Sequence, residues 1–477
     1  MLSRRKFIAV SGATLALSMV LPKKAHAQSL RLRRDITTMA PDDPFFQEYS
    51  EAVRIMHELP QSDPRNWRNQ AIIHANYCPH GGLDFLQWHR HYITFFEQIC
   101  GELIGDPSFA LGYWNWSNNQ GRIPSPFFED GPLNVQFWND PSNYSTPPLS
   151  RTPWPDPITT VGVRGLSETR GLQDFDFFGN QNPFTEDAIE TILRQTNFGF
   201  FSQLLEGEPH NVAHGLSGIG NGHMANGLSP LDPIFWLHHC NVDRIWAEWQ
   251  SSGNTTPSNP RQYNQQFSNA QGNLVDVSAN DTSDFNGLGF TYETTRPSLQ
   301  PIALMSARGI QTAIPRSDEV MNVLGRATNT ETSQIRSVTS IPVETANLSN
   351  ELFSSRKFNR TNFLSRPQTA IEQSRILAVF KDVTPPSSEK APILVNVFVD
   401  CRYLNARTST DDPHYAGTFS FFGGTKEFVV DITSTLRYAL EQGIMVDQPV
   451  NIQLLPFSTD SDVDTQILFG SVELVRV

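Results

Sequence analysis

Of the twelve histidines in this 477-residue chain, seven fall into two groups about 120 residues apart: His74, His80 and His89, then His210, His214 and the adjacent pair His238-His239. Neutral imidazole is a metal ligand, and three imidazoles around a redox-active ion leave a coordination face open for a small molecule. Two such sets suit a coupled pair of copper ions acting on dioxygen. Zinc is the other metal to consider, but it lacks the redox change that oxygen chemistry needs. The sequence also holds neither a zincin motif nor a Cys-x-x-Cys pair.

The spacing says which elements must carry these ligands. His210 and His214 stand four apart in Glu-Pro-His-Asn-Val-Ala-His, so a helix here puts both on one face for a single metal. A second helix is predicted from Asp232-Pro233, a start signal, through His238-His239 to Trp246. Neighbouring helical residues point about 100° apart, so only one of the adjacent pair faces that metal and the other packs or hydrogen-bonds nearby. In the first group, the periodic run from Trp67 to Tyr77 predicts a helix bearing His74. His89 opens a further helix at Trp88, while Pro79 and Gly81-Gly82 leave His80 on a loop. His91 reads as a packing or supporting residue, His223 as a loop residue, and His26, His57 and His414 carry no motif.

Two longer motifs surround these ligands: Phe85-Leu-Gln-Trp-His-Arg-His-Tyr-Ile-Thr-Phe-Phe-Glu97, and His210-Asn-x-x-His214 followed by Asp232-Pro-x-Phe-x-x-His-His-x-x-x-Asp243-Arg-x-Trp246. On them the chain resembles the tyrosinases, catechol oxidases and plant polyphenol oxidases, the type 3 copper proteins, over roughly residues 30–295 and more loosely in the C-terminal region. The resemblance implies copper A ligands His74, His80 and His89, and copper B ligands His210, His214 and His239. It implies oxidation of small phenols by O2: ortho-hydroxylation of monophenols and conversion of o-diphenols to o-quinones. Catechol oxidase, o-aminophenol oxidase and a hemocyanin-like oxygen carrier are the alternatives.

Further residues gain meaning from the same resemblance. Some relatives join the sulfur of a Cys-x-His to the copper A histidine, and Cys78-Pro-His80 matches that pattern. In tyrosinases a Glu and an Asn at the positions of Glu206 and Asn211 hold a water proposed to deprotonate the phenol, whose pKa near 10 calls for a base. Asp243, one turn after His239, is a candidate for orienting a ligand imidazole, or for pairing with Arg90 or Arg244. Leu288-Gly-Phe-Thr-Tyr292 is similar to the aromatic motif that closes the catalytic domain of plant polyphenol oxidases, with Arg33 or Arg34 as its expected cation-π partner.

Composition suits an exported globular protein. A net charge of −13 and a pI near 5.4 argue against nucleic acid or an anionic membrane surface as partner. Residues 1–27 read as a signal peptide: Ser3-Arg-Arg-Lys-Phe-Ile, an apolar stretch, then Ala25-His-Ala27. The twin arginines resemble the bacterial Tat signal and imply that export machinery, a periplasmic or secreted destination, and no lasting membrane insertion. The four cysteines, Cys78, Cys100, Cys240 and Cys401, are too scattered for a disulfide framework. Oligomeric state has no signature here.

The expected fold is a mainly α catalytic domain over residues 28–295, a helix bundle around a dicopper centre, in which the polar stretch 251–287 reads as a surface loop. A linker or irregular extension over 296–370 follows. An all-β, sandwich-like domain over 371–477 completes the chain, its strands beginning near Ile376, Ile393, Tyr415, Phe428, Ile452 and Ile467. By resemblance, this domain either shields the copper site or stabilises the catalytic unit.

Overall fold

The computed structural model describes residues 30–80, 84–143, 160–175, 182–218, 222–293, 322–328, 332–345, 348, 376–384, 393–421, 427–441, 449–458 and 466–476. The expected signal peptide (1–27), Gly81-Gly82 and most of 296–370 lie outside them. No helix of the described residues is long and apolar enough to cross a membrane.

The helical domain is a bundle whose centre is a pair of long helices, α3 (Phe85–Ile104) and α7 (Ile234–Ser251). Around them lie α1 (Pro44–Glu58), α2 (Trp67–Tyr77), α4 (Glu186–Leu193), α5 (Phe198–Leu205) and α6 (Asn211–Ser217). Local chemistry sets several of the ends. Asp43 and Asn66 accept from the Phe45 and Arg68 backbone N–H at the starts of α1 and α2. Asp232 Oδ1 accepts from Ile234 N at 3.1 Å to start α7 beside Pro233. Gly105, at φ +74°, supplies the left-handed residue that ends α3.

α3 and α7 are buried along nearly their whole length, so the ions between them must be paired. Arg90 of α3 donates to Asp243 of α7 and lies 3.5 Å over the Trp246 ring. Asp243 also accepts from Arg33 at 3.2 Å and from the Tyr292 hydroxyl at 2.6 Å. Arg33 reaches Glu97 of α3 at 2.8 Å. Strand β1 (Arg31–Arg33) pairs in parallel with β4 (Phe290–Tyr292), and the Arg33 guanidinium lies 3.6 Å over the Phe290 ring. The expected cation-π partner is therefore Arg33; Arg34 turns away to Asp43.

Two readings of the sequence need correction. The stretch 251–287 holds a hairpin, β2 (Gln262–Ser268) and β3 (Leu274–Ser278), which buries Tyr263 and Phe267. A register shift between Asn264 and Phe267 breaks the alternation by which a strand is recognised. The expected 296–370 linker likewise contains β5 (Asn322–Thr328), β6 (Thr332–Gln334) and β7 (Thr339–Val343). β5 and β7 are the edges of the two sheets of the β domain, so that domain's strands begin at 322 rather than after 371. Edge strands tolerate polar residues and a proline such as Pro342, and so lack the apolar signal.

The remaining strands are β8 (Ile376–Lys381), β9 (Ile393–Val399), β10 (Tyr415–Ser420), β11 (Phe428–Asp431), β12 (Val450–Ser458), β13 (Gln466–Leu468) and β14 (Ser471–Arg476), with a helix α8 (Thr433–Glu441) after β11. Antiparallel sheets ordered β10-β9-β12-β7 and β11-β8-β14-β5 enclose a core that includes Val395, Val397, Phe380 and Leu474. Alternate residues face outward, and of these Leu377, Val379, Val429 and Val475 join the hydrophobic core of the helical domain. The β domain is thereby packed against the helices rather than tethered beside them.

The buried ion network yields a stability prediction. Asp243→Ala leaves Arg33 and Arg90 buried beside a lost charge, and breaking a buried pair costs about 3–5 kcal/mol. Urea unfolding of the metal-free protein should show a loss of that order. An unchanged midpoint would mean that the network does not hold the helices together.

Candidate metal centre

Each histidine is placed by a different element. α2 presents His74 from its last turn, and α3 presents His89 from its second. His80 follows the end of α2 at Cys78. α5 runs into a π-helical turn, Glu206–His210, and then into α6, so His210 closes the turn and His214 lies one helical turn on. Pro209 within the turn has no N–H for the regular ladder, which is where a widened turn is expected. His238 and His239 lie in the second turn of α7.

The six histidines implied by the resemblance come together. In the first set the ring centroids of His74, His80 and His89 are 5.7–5.9 Å apart. In the second, those of His210, His214 and His239 are 4.6–5.6 Å apart. The sets meet where His89 stacks on His239, centroids 4.1 Å apart and planes 3° from parallel. Phe85 and Phe235 wall the site, 4.7 Å from His89 and 4.4 Å from His239.

Hydrogen bonds fix which nitrogen is available. His74 Nδ1 lies 2.8 Å from the Gly227 carbonyl, His89 Nδ1 2.8 Å from that of Phe85, and His214 Nδ1 2.8 Å from that of Met224. His210 Nδ1 lies 2.9 Å from Asn211 Oδ1. An oxygen of this kind only accepts, so the proton sits on Nδ1 and the lone pair on Nε2. Burial also keeps these rings neutral: it lowers His74 to about 4 and His210 to about 3, and pushes His80, His89, His214 and His239 well below the ordinary value. His214 Nε2 and His239 Nε2 stand 3.4 Å apart. Two nitrogens on one ion at about 2.0–2.1 Å in a tetrahedral arrangement have about that separation. The residues present thus fit a metal ion in each set, and a neutral all-imidazole shell suits copper.

The other expected residues sort as follows. Cys78 Sγ lies 3.5 and 3.6 Å from the two ring nitrogens of His80, which flank the Cε1 carbon, and 3.3 Å from His89 Nε2. Burial, and then the charges of Glu206 and Asp84, hold this thiol well above its ordinary pKa. None of the four cysteines is in a disulfide. Glu206 is buried in the π-helical turn. Asn211 is buried as well, but its carbonyl oxygen is taken by His210, leaving its NH2 group to face any water. Asp243 pairs with Arg33, Arg90 and the Tyr292 hydroxyl rather than with a ligand imidazole, because its side chain lies between the helices, and Arg244 pairs instead with Glu248. His91 donates to or accepts nothing at the centre and meets the Ser278 carbonyl at 2.8 Å. Gly227 and Met224 could not be foreseen from the sequence, since a backbone carbonyl has no side-chain signature.

Residues 48–252 match the model of the common central domain of tyrosinase. Over this segment the chain is similar to a tyrosinase domain. A tyrosinase of Hahella sp. (strain CCB-MM4) is 25% identical over 481 residues, covering 89% of this chain and 95% of that protein. A chloroplastic polyphenol oxidase of Malus domestica is 28% identical over 306 residues, 53% of this chain and 47% of its own length. The chain thus spans about half the length of the plant relatives it matches. Latent apple tyrosinase superposes with a TM-score of 0.61 at 21% identity, over 94% of this chain and 97% of that one. A functional unit of octopus hemocyanin does so with a TM-score of 0.53 at 17% identity, over 92% and 99%. The fold they share with this chain is a helical domain that holds the histidines, followed by a β domain. The matched segment carries two histidine clusters, each able to hold a metal ion, as a dinuclear copper centre requires.

Proposed function

We propose that the chain is a tyrosinase: it hydroxylates monophenols ortho to their oxygen and oxidises o-diphenols to o-quinones, with His74, His80 and His89 holding copper A and His210, His214 and His239 holding copper B. The observation that carries this reading is the convergence of two imidazole sets whose Nδ1 atoms are tied down, on a chain matching the tyrosinase central domain. Copper, when bound, supplies the one-electron redox changes that dioxygen reduction needs.

The chain's own residues handle the proton and the fit. Phe85 and Phe235 give apolar walls suited to an aromatic ring. Glu206, buried one turn before His210, is the base: it takes the phenol proton through a water that the Asn211 NH2 group helps to hold. Asn211 has a second duty, since its carbonyl oxygen fixes the His210 tautomer. Replacing Asn211 by Leu therefore disturbs a copper ligand as well as the water, and Glu206→Gln is the cleaner probe.

The β domain bears on the same turn. Glu208 lies against β10, where a Cβ at Gly417 would run into Glu208 Oε1, and Gly207 faces the Val429 carbonyl. This supports a restraint by the β domain on the copper B segment. Residues 1–27 act as a Tat export signal in this reading, which requires a mature N terminus at Gln28.

Two experiments test the proposal. Cys78 and His80 are placed for a thioether between Sγ and Cε1, so a tryptic peptide spanning both from copper-matured protein should be lighter by two hydrogens and resist thiol alkylation; an alkylatable Cys78 removes the cross-link. Oxygen uptake by copper-loaded protein should occur with a monophenol, an o-diphenol and, as a comparison, an o-aminophenol. Glu206→Gln should lower the monophenol-to-diphenol rate ratio by roughly tenfold or more at unchanged copper content, the scale of a hydrogen bond to a charged group. Uptake with the diphenol or the aminophenol alone would make the chain a catechol oxidase or an aminophenol oxidase. No quinone from catechol would leave the oxygen-carrier reading.

A further inference from the structure

His238 is the histidine that the copper assignment leaves over, and its surroundings are unlike those of its neighbours. It is fully buried, and among the described residues neither of its ring nitrogens has a hydrogen-bond partner. Buried polar atoms are rarely left so, and each such case calls for a partner that protein atoms do not supply. Four of the six assigned ligands have Nδ1 tied to an oxygen. His238 has neither nitrogen tied, so rotation about its Cβ–Cγ bond costs it no hydrogen bond.

Its position is equally specific. The His238 ring is 5.1 Å from His210 at an interplanar angle of 29°, 4.5 Å from His214 and 5.0 Å from His239. One nitrogen from each of His210, His214, His238 and His239 lies within 4.8 Å of the others. The far side of the ring meets Trp116 at 5.1 Å and Trp114 at 6.2 Å. The indole nitrogens of these two tryptophans also lack a hydrogen-bond partner among the described residues, but an indole N–H is a donor only and cannot bind a metal.

We propose that His238 is a reserve ligand of copper B, an unpinned imidazole that takes the ion when His239 does not hold it, as during loading. The inference rests on the dicopper reading and adds a fourth imidazole to one half of it. Both residues sit on the same turn of α7, so the exchange needs side-chain rotation rather than movement of the helix.

Copper per chain, measured after equilibration with copper and removal of loosely bound ion, tests this without reference to activity. Wild type should hold two ions, and His239→Ala should also hold two, with diphenol oxidation reduced because the ligand geometry has changed. The double variant His238→Phe/His239→Ala, which keeps ring volume at 238 without a nitrogen, should hold one, and that remaining ion at copper A reports that the chain is folded. One ion in His239→Ala, the same as in the double variant, overturns the inference and reduces His238 to packing or to holding water with Trp114 and Trp116. Fewer than two ions in wild type overturns the dicopper reading itself.

Discussion

The ion pair between Arg90 and Asp243 is the contact on which the copper centre depends. Arg90 directly follows His89 on α3, and Asp243 lies one turn beyond His239 on α7, so pairing the two sets the register of the helices at the level of the ligands. In that register His89 and His239 face each other in a near-parallel stack, one from each metal set. The N-terminal and C-terminal ends of the helical domain both reach this point. Arg33 from β1 and Tyr292 from β4 share Asp243 Oδ2, and Glu97 takes Arg31 and Arg33. With both charges buried, neither side chain has water to fall back on, which makes the arrangement intolerant of sliding.

Within that frame, orientation of the rings is a matter of the backbone. The segment after α6 gives the Met224 carbonyl to His214 and the Gly227 carbonyl to His74, serving one ligand in each metal set. α3 ties its own His89 through the Phe85 carbonyl, and Asn211 does the same for His210 with a side chain. These bonds fix tautomer and direction before any metal arrives, which lowers the entropic cost of assembling the shell. The π-helical turn at Pro209 carries Glu206 and His210 together, and β10 and β11 touch it as they do the neighbouring α6 and α5. A single irregular turn thus connects Glu206, His210 and the β domain.

How much of this was legible in the sequence follows from where the information is carried. Histidine spacing, the Asp232-Pro233 start and the apolar runs at Ile376 and Ile393 are properties of single segments, and they brought out the histidines that the fold gathers into two clusters, α7 and the interior strands. Edge strand β7 buries one face only and β5 is at most half-buried, and they admit Pro342 and Arg326, so they looked like linker. A bulge hid the hairpin that packs Tyr263 and Phe267. Asp243 stands at the spacing of a ligand-orienting residue, yet long-range pairing with Arg33 and Arg90 decided its partners. Asn211 was legible as a residue beside His210 but not as the acceptor of its Nδ1 proton. The contrast between a pinned His210 and an unpinned His238 exists only in three dimensions.

The central claim is that the α3–α7 register holds two copper ions close enough to act as one unit. Electron paramagnetic resonance of the protein loaded with two equivalents of Cu(II) tests it most directly. Two Cu(II) ions in adjacent sites that share a ligand pair their unpaired electrons, so the loaded protein should give almost no signal while chemical analysis finds both ions. A full signal from two independent Cu(II) ions would contradict the account.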